Sequence, residues 1–128
     1  MRQILAIVAL LFFTAPALAG GKSVPRSAKG VIASVHAAAA AKDAKALRRL
    51  MGDDFVSSFG GDGGRAEALA LWASYPTYFQ HLAKATSGSC ELEYPGYVQC
   101  PRNAGIGLRA GFKLVGTTWV FSSFVGGD

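Results

Sequence analysis

Asp53 and Asp54 stand side by side just beyond a helix-forming run. A carboxylate at a pocket mouth works as a general base when it lies within hydrogen-bond reach of the proton it removes. Adjacent carboxylates past a helix end are also ordinary solvated turn residues, so the pair is a candidate and not a signature. His81 follows Tyr75, Tyr78 and Phe79 and could line a pocket with them or simply pack on a helix face. His36 lies in an alanine-rich run and has no partner three or four residues away that would complete a metal-ligand pair. Ser57, Ser58, Ser122 and Ser123 lack the G-x-S-x-G elbow of a nucleophilic serine. Glu91 and Glu93 share one strand face, which the pairing argued below turns toward solvent.

Gly60 to Gly64 could cradle an anion with backbone N–H groups at the start of a helix. The segment lacks the Lys-Ser/Thr of a phosphate-binding loop, and Asp62 in its middle would repel phosphate. A structural strand-to-helix turn accounts for the glycines. Asp62 alone falls far short of a calcium loop, and two histidines cannot form an all-histidine metal cage. No cofactor and no metal is expected.

Cys90 and Cys100 are the chain's two cysteines, and their compartment decides their chemistry. Met1-Arg2-Gln3 is a short positive start, followed by the uncharged run from Ile4 to Phe13, then Pro16 and the small-x-small sequence Ala17-Leu18-Ala19. This is the pattern of a secretory signal cleaved after Ala19. From Ile4 to Ala19 the stretch is shorter than the ~20 residues that span a bilayer, so no stable membrane insertion is expected after cleavage. The expected address is periplasmic or secreted, where a facing cysteine pair becomes a disulfide and a free catalytic thiol does not last.

The chain has 128 residues with 13 Lys+Arg against 8 Asp+Glu. Part of that positive excess sits in the leader (Arg2) and in Lys22, Arg26 and Lys29 of residues 20–29, a Gly/Ser/Pro-containing stretch that reads as a flexible linker. The rest, 30–128, is close to charge balance. A nucleic-acid binder concentrates positive charge on its folded face, and this chain does not. Hydrophobic residues make up 51% of the chain, enough to build one core at this length.

The elements that must position these residues are legible in part. Residues 31–51 carry Val31, Val35, Ala38 and Ala39, then Ala46, Leu47, Leu50 and Met51, at helical spacing. Asp43 can cap a restart near Ala41-Lys42-Asp43, and Gly52 is placed as the stop. Residues 55–59 alternate as a strand. A second helix is expected over about 65–74, ended by Pro76, with Trp72 on its apolar face. Residues 78–84 are ambiguous, with a short helix as one reading.

Beyond these, pairing across Tyr94-Pro95-Gly96 sets Cys90 opposite Cys100 and Leu92 opposite Val98 on one apolar face. A two-residue Pro95-Gly96 turn would instead shift the pairing by one and separate the cysteines. Residues 106–115 alternate, turn at Gly116-Thr117, and pair with 118–125. That pairing sets Leu114 beside Trp119, Phe112 beside Phe121, Ala110 beside Ser123 and Leu108 beside Val125, with Arg109 and Lys113 outside. Ala110 and Ser123 are the smallest facing pair. They mark either a closely approaching helix or a small cavity with one hydroxyl, which would suit an amphipathic ligand.

This order, a bent N-terminal helix, a strand after Asp53-Asp54-Phe55-Val56, a short helix, and long antiparallel strands ending in Trp119-Val120-Phe121, resembles the nuclear transport factor 2-like fold over about 28–125. That superfamily is also called SnoaL-like or cystatin-like. The resemblance implies an α+β architecture in which N-terminal helices pack on a curved antiparallel sheet to form a cone-shaped pocket. Phe59-Gly60-Gly61-Asp62-Gly63-Gly64, Leu71-Trp72, Arg109-Ala110-Gly111-Phe112-Lys113 and the ending Phe124-Val125-Gly126-Gly127-Asp128 also resemble a group of small exported bacterial proteins. Some members carry a bacterial Src-homology-3-type domain between these motifs. The 73–108 interval here is too short to hold one, and no peptidoglycan-binding inference comes with the resemblance.

Two functions from different classes follow. In the first, the domain is not an enzyme and binds a small apolar ligand or an envelope protein. In the second, it is a small hydrolase or isomerase using Asp53 or Asp54 with His81. A carboxylate within reach of His81 inside the cone would favour the second.

Overall fold

The computed structural model describes residues 23–58 and 63–127. The expected signal segment and residues 59–62, including Asp62, lie outside the described residues. The described residues form four helices and one five-stranded mixed sheet.

Helix α1 spans Arg26–Ala40 and α2 spans Ala44–Leu50. The break between them is where the sequence placed it. Lys42 turns at φ 54°, and the Asp43 carboxylate accepts from the Ala46 N–H at 3.0 Å, which caps α2. Two boundaries differ from expectation. α1 begins before residue 30, so Arg26 to Lys29 belong to its first turn and not to a linker. Ala28 is fully buried there and gives that turn its tertiary anchor. Gly52 is not the helix stop: the chain extends directly at Met51 into strand β1 (Met51–Ser57).

Helix α3 (Gly64–Ser74) starts at Gly64, whose φ of 60° and whose approach to the Asp53 carbonyl leave no room for a Cβ. Helix α4 (Thr77–Ser87) resolves the ambiguous stretch as a full helix, with Phe79, Leu82, Ala85 and Thr86 buried at helical spacing.

Strands β2 (Glu91–Tyr94) and β3 (Tyr97–Cys100) form the cysteine hairpin, and β4 (Arg109–Val115) and β5 (Thr118–Val125) the long one. The order across the sheet is β1-β5-β4-β3-β2. All neighbours are antiparallel except β1 and β5, which run parallel. The all-antiparallel expectation therefore fails at one edge: β1 arrives from α2 and joins β5 only after two helices and three strands have intervened, so no tight turn dictates its direction.

In the first hairpin both alternatives are realised at once. Tyr94 pairs with Tyr97 across the two-residue Pro95-Gly96 turn, with Gly96 at φ 83°. The register then shifts, so Leu92 faces Val98, Glu91 faces Gln99, and Cys90 is bonded to Cys100 with their Cα atoms 4.4 Å apart.

The second hairpin corrects the expected register. Leu114 pairs with Trp119 and Phe112 with Phe121 as expected, but Gly111 then pairs with Ser123 and Ala110 with Phe124. Ser122 is the extra residue of a β-bulge, and its buried hydroxyl donates to the Gly111 carbonyl at 3.1 Å. The bulge brings both Phe121 and Phe124 into the core, where both are essentially buried. Leu114 is 42% exposed, so it does not share the core with Trp119, and Ile106 lies outside the strand.

The helices cover one side of the sheet through α1 on β5, α4 on β4 and α3 on β1. Trp72 is the hub of the core. Its ring meets Phe55, Phe79 and Phe124 edge-on at centroid distances of 5.8 to 6.0 Å and stacks with Tyr78 at 6.3 Å.

Candidate functional site

The carboxylates lie on an irregular part of β1. The register against β5 slips between Met51 and Val56, which carries Gly52, Asp53 and Asp54 off the regular ladder while Met51 and Phe55 stay buried. Asp53 is exposed and pairs with Arg65 of α3 at 3.0 Å; the same guanidinium donates to the Met51 carbonyl at 3.3 Å. Asp54 pairs with Lys113 of β4. The hydrogen bond from the Lys113 ammonium holds the Asp54 carboxyl below its ordinary value of 3.8. Both carboxylates are thus salt-bridge partners of cations on neighbouring elements. They line a shallow depression of about 420 Å³ with Lys113, Val115 and Val120.

His81 is exposed and lies elsewhere. It borders a depression of about 410 Å³ with Tyr75 and Tyr78 and one of about 690 Å³ with Lys84 and Leu108. Asp53 and Asp54 line neither. The general-base pair imagined from the sequence is not assembled in one cavity.

Ala110 and Ser123 are not brought together either. The bulge sets Ala110 against Phe124 in the fully packed core. It sets Ser123 opposite Gly111, where its hydroxyl lies 3.5 Å from that of Tyr97. A side chain at residue 111 would collide with both, since a Cβ there would overlap the Tyr97 hydroxyl and the Ser123 oxygen. The small residues accommodate packing, and neither lines the depressions at Asp53 and Asp54, those at His81 or the groove beside α1.

A further site includes His36, which spacing along the sequence had set aside. Helix α1 packs chiefly on α4, and a groove of about 540 Å³ runs beside this contact. Val24, Ile32 and Ala33 supply apolar wall, Lys29 and His36 supply nitrogen, and Cys90 adds part of the disulfide. The His36 Nδ1 lies 2.9 Å from the Ala83 carbonyl oxygen and 3.1 Å from the Thr86 hydroxyl.

A carbonyl only accepts, so Nδ1 carries the hydrogen. The Thr86 hydroxyl gives its own hydrogen to main-chain carbonyls of α4, with Leu82 nearest at 2.8 Å, and so faces His36 with a lone pair. Nδ1–H is therefore committed to α4, and Nε2 is the atom the ring offers to a ligand. Among the described residues, the groove lining contains no carboxylate.

Among the described residues, no group of His, Cys, Asp and Glu is arranged to hold a metal ion, and no helix is long and apolar enough to cross a membrane. No known family model matches the chain, and no curated protein matches it in sequence. The partner of His36 lies 47 residues away in the sequence. No spacing rule could have found it; the one available signal was a histidine placed beside the core position Val35 on a helix whose other large polar residues are exposed.

Proposed function

We propose that this chain is an exported, non-enzymatic binding domain that takes a small amphipathic ligand into the groove between α1 and α4. One observation carries the reading: a half-buried imidazole, fixed in orientation and tautomer by Ala83 and Thr86, stands in an otherwise mainly apolar groove. Binding sites for small molecules are built in this way, with apolar walls and few fixed polar atoms. The separation of Asp53 and Asp54 from His81 supports binding over acid–base catalysis. The Cys90–Cys100 disulfide fits an oxidising compartment, in keeping with the signal read at residues 1–19. The α+β element order is compatible with the nuclear transport factor 2-like fold, and in this reading the helices and sheet enclose a filled core, with the ligand held beside the helix pair.

Uptake of N-phenyl-1-naphthylamine, which fluoresces in apolar surroundings, tests the site. Ala33 lines the groove and is exposed, so Ala33→Trp fills the groove without entering the core. The parent should bind the probe, and the variant should lose it while keeping its melting temperature. Equal uptake by both proteins would remove the groove from consideration.

A further inference from the structure

We infer that the ligand of this groove is an aliphatic carboxylate, held by its head between the Lys29 ammonium and His36 Nε2–H. The inference rests on the binding reading above and adds the chemical class. Among the described residues, Lys29 and His36 are the titratable side chains lining the groove, and no acidic side chain accompanies them. The lining therefore attracts an anion and has nothing to neutralise a cation. Val24, Ile32 and Ala33 give an alkyl body its wall.

The tautomer of His36 makes a further demand. With the only hydrogen of the neutral ring on Nδ1, Nε2 presents a lone pair, which repels a carboxylate oxygen. A carboxylate is held only when Nε2 also carries a hydrogen, whereas the Nδ1–H contact to Ala83 is the same in both forms. The bound state is thus an imidazolium–carboxylate pair beside the Lys29 ammonium, and where the free ring is neutral its formation takes up a proton. Affinity falls as pH rises, because the proton must be drawn from a more dilute source.

Among the described residues, no further titratable side chain lines the groove. On α4, Thr86 faces the ring, while His81 and Lys84 line another cavity. Strand β5 has no titratable side chain, and Lys45, Arg48 and Arg49 of α2 are exposed. Cys90 is held in the disulfide.

The test is calorimetric titration of the purified chain with octanoate and with octanol, in two buffers of different ionisation enthalpy, alongside displacement of N-phenyl-1-naphthylamine. Octanoate should displace the probe and bind about tenfold or more tightly than octanol, a difference of one charge-assisted contact. Octanoate affinity should fall as pH is raised, with protons taken up on binding, whereas octanol affinity should not change with pH. His36→Asn keeps a donor for the Ala83 carbonyl but lacks Nε2. It should abolish the proton uptake and weaken octanoate far more than octanol, and Lys29→Met should narrow the same preference without removing the uptake. Octanol binding as tightly as octanoate, or octanoate binding without proton uptake, would overturn the carboxylate assignment. If the probe binds and octanoate fails to displace it, the assignment falls while the binding reading stands. If the probe does not bind at all, both fall.

Discussion

His36 on α1 donates from Nδ1 to the Ala83 carbonyl on α4 across 2.9 Å, and this one ring joins two helices 47 residues apart in the chain. Its loss should be felt in stability as well as in binding. His36→Ala leaves a part-buried carbonyl and hydroxyl without their donor and should cost about 1–2 kcal/mol. His36→Asn, which restores a donor, should cost clearly less. Urea denaturation midpoints measure both, and equal costs would mean that the contact contributes packing alone.

The disulfide gives a direct chemical prediction. Cys90 and Cys100 close a short loop, and the loop-closure model assigns such a bond roughly 2–3 kcal/mol. Thiol titration of the denatured, unreduced protein should find no free thiol. Two reactive thiols would contradict both the bond and the oxidising compartment.

Trp72 lies at the centre of the aromatic core and is fully buried, but among the described residues its indole N–H meets no hydrogen-bond partner. Trp72→Ala should cost about 3–5 kcal/mol through the cavity it opens. Trp72→Phe removes the unpaired N–H together with some volume, so the two effects oppose each other and the net cost should stay below about 2 kcal/mol. Trp119 is also buried, and Trp119→Ala belongs with the large losses. Chemical denaturation of the three variants tests this order.

The Asp54–Lys113 pair sets a pH signature. The depressed carboxyl of Asp54 means that its contribution is fully present above the ordinary value of 3.8 and is lost as pH falls through the lower folded value. Asp54 is mostly exposed, so solvent and salt screen the pair, and the effect is small. Lys113→Ala should cost under about 0.5 kcal/mol at pH 7. That cost should vanish below the folded titration of Asp54 and shrink in molar salt. Stability curves of parent and variant against pH read this directly, and a constant gap down to pH 2 would show that Lys113 acts through its alkyl stem.

Ala110 is fully buried and paired with Phe124, so enlarging it should strain the core. Ala110→Leu is expected to destabilise the fold by about 1–3 kcal/mol. Uptake of N-phenyl-1-naphthylamine in the groove should be unaffected. Loss of uptake without loss of stability would return the binding site to the sheet.

Several features were legible in the sequence because they depend on neighbours. The break and cap at Asp43, the turn at Gly116-Thr117, the helix ending before Pro76 and the facing of Cys90 with Cys100 each follow from local backbone preference or strict two-residue alternation. The bulge was legible in principle. Phe121 and Phe124 are three apart, so both can enter one core only if a residue between them leaves the ladder, and Ser122 does so.

Other features required the whole fold. The parallel partnership of β1 with β5 is decided by packing between segments that share no short turn. The separation of His81 from Asp53 and Asp54 depends on where α4 settles against β4. His36 has meaning only once α4 is beside α1, because the acceptors that fix its proton are a carbonyl and a hydroxyl about fifty residues distant. Periodicity reports which face of an element is buried, but not which element covers it. The residues with chemistry in this chain were therefore visible in the sequence, and their partners were chosen by tertiary packing.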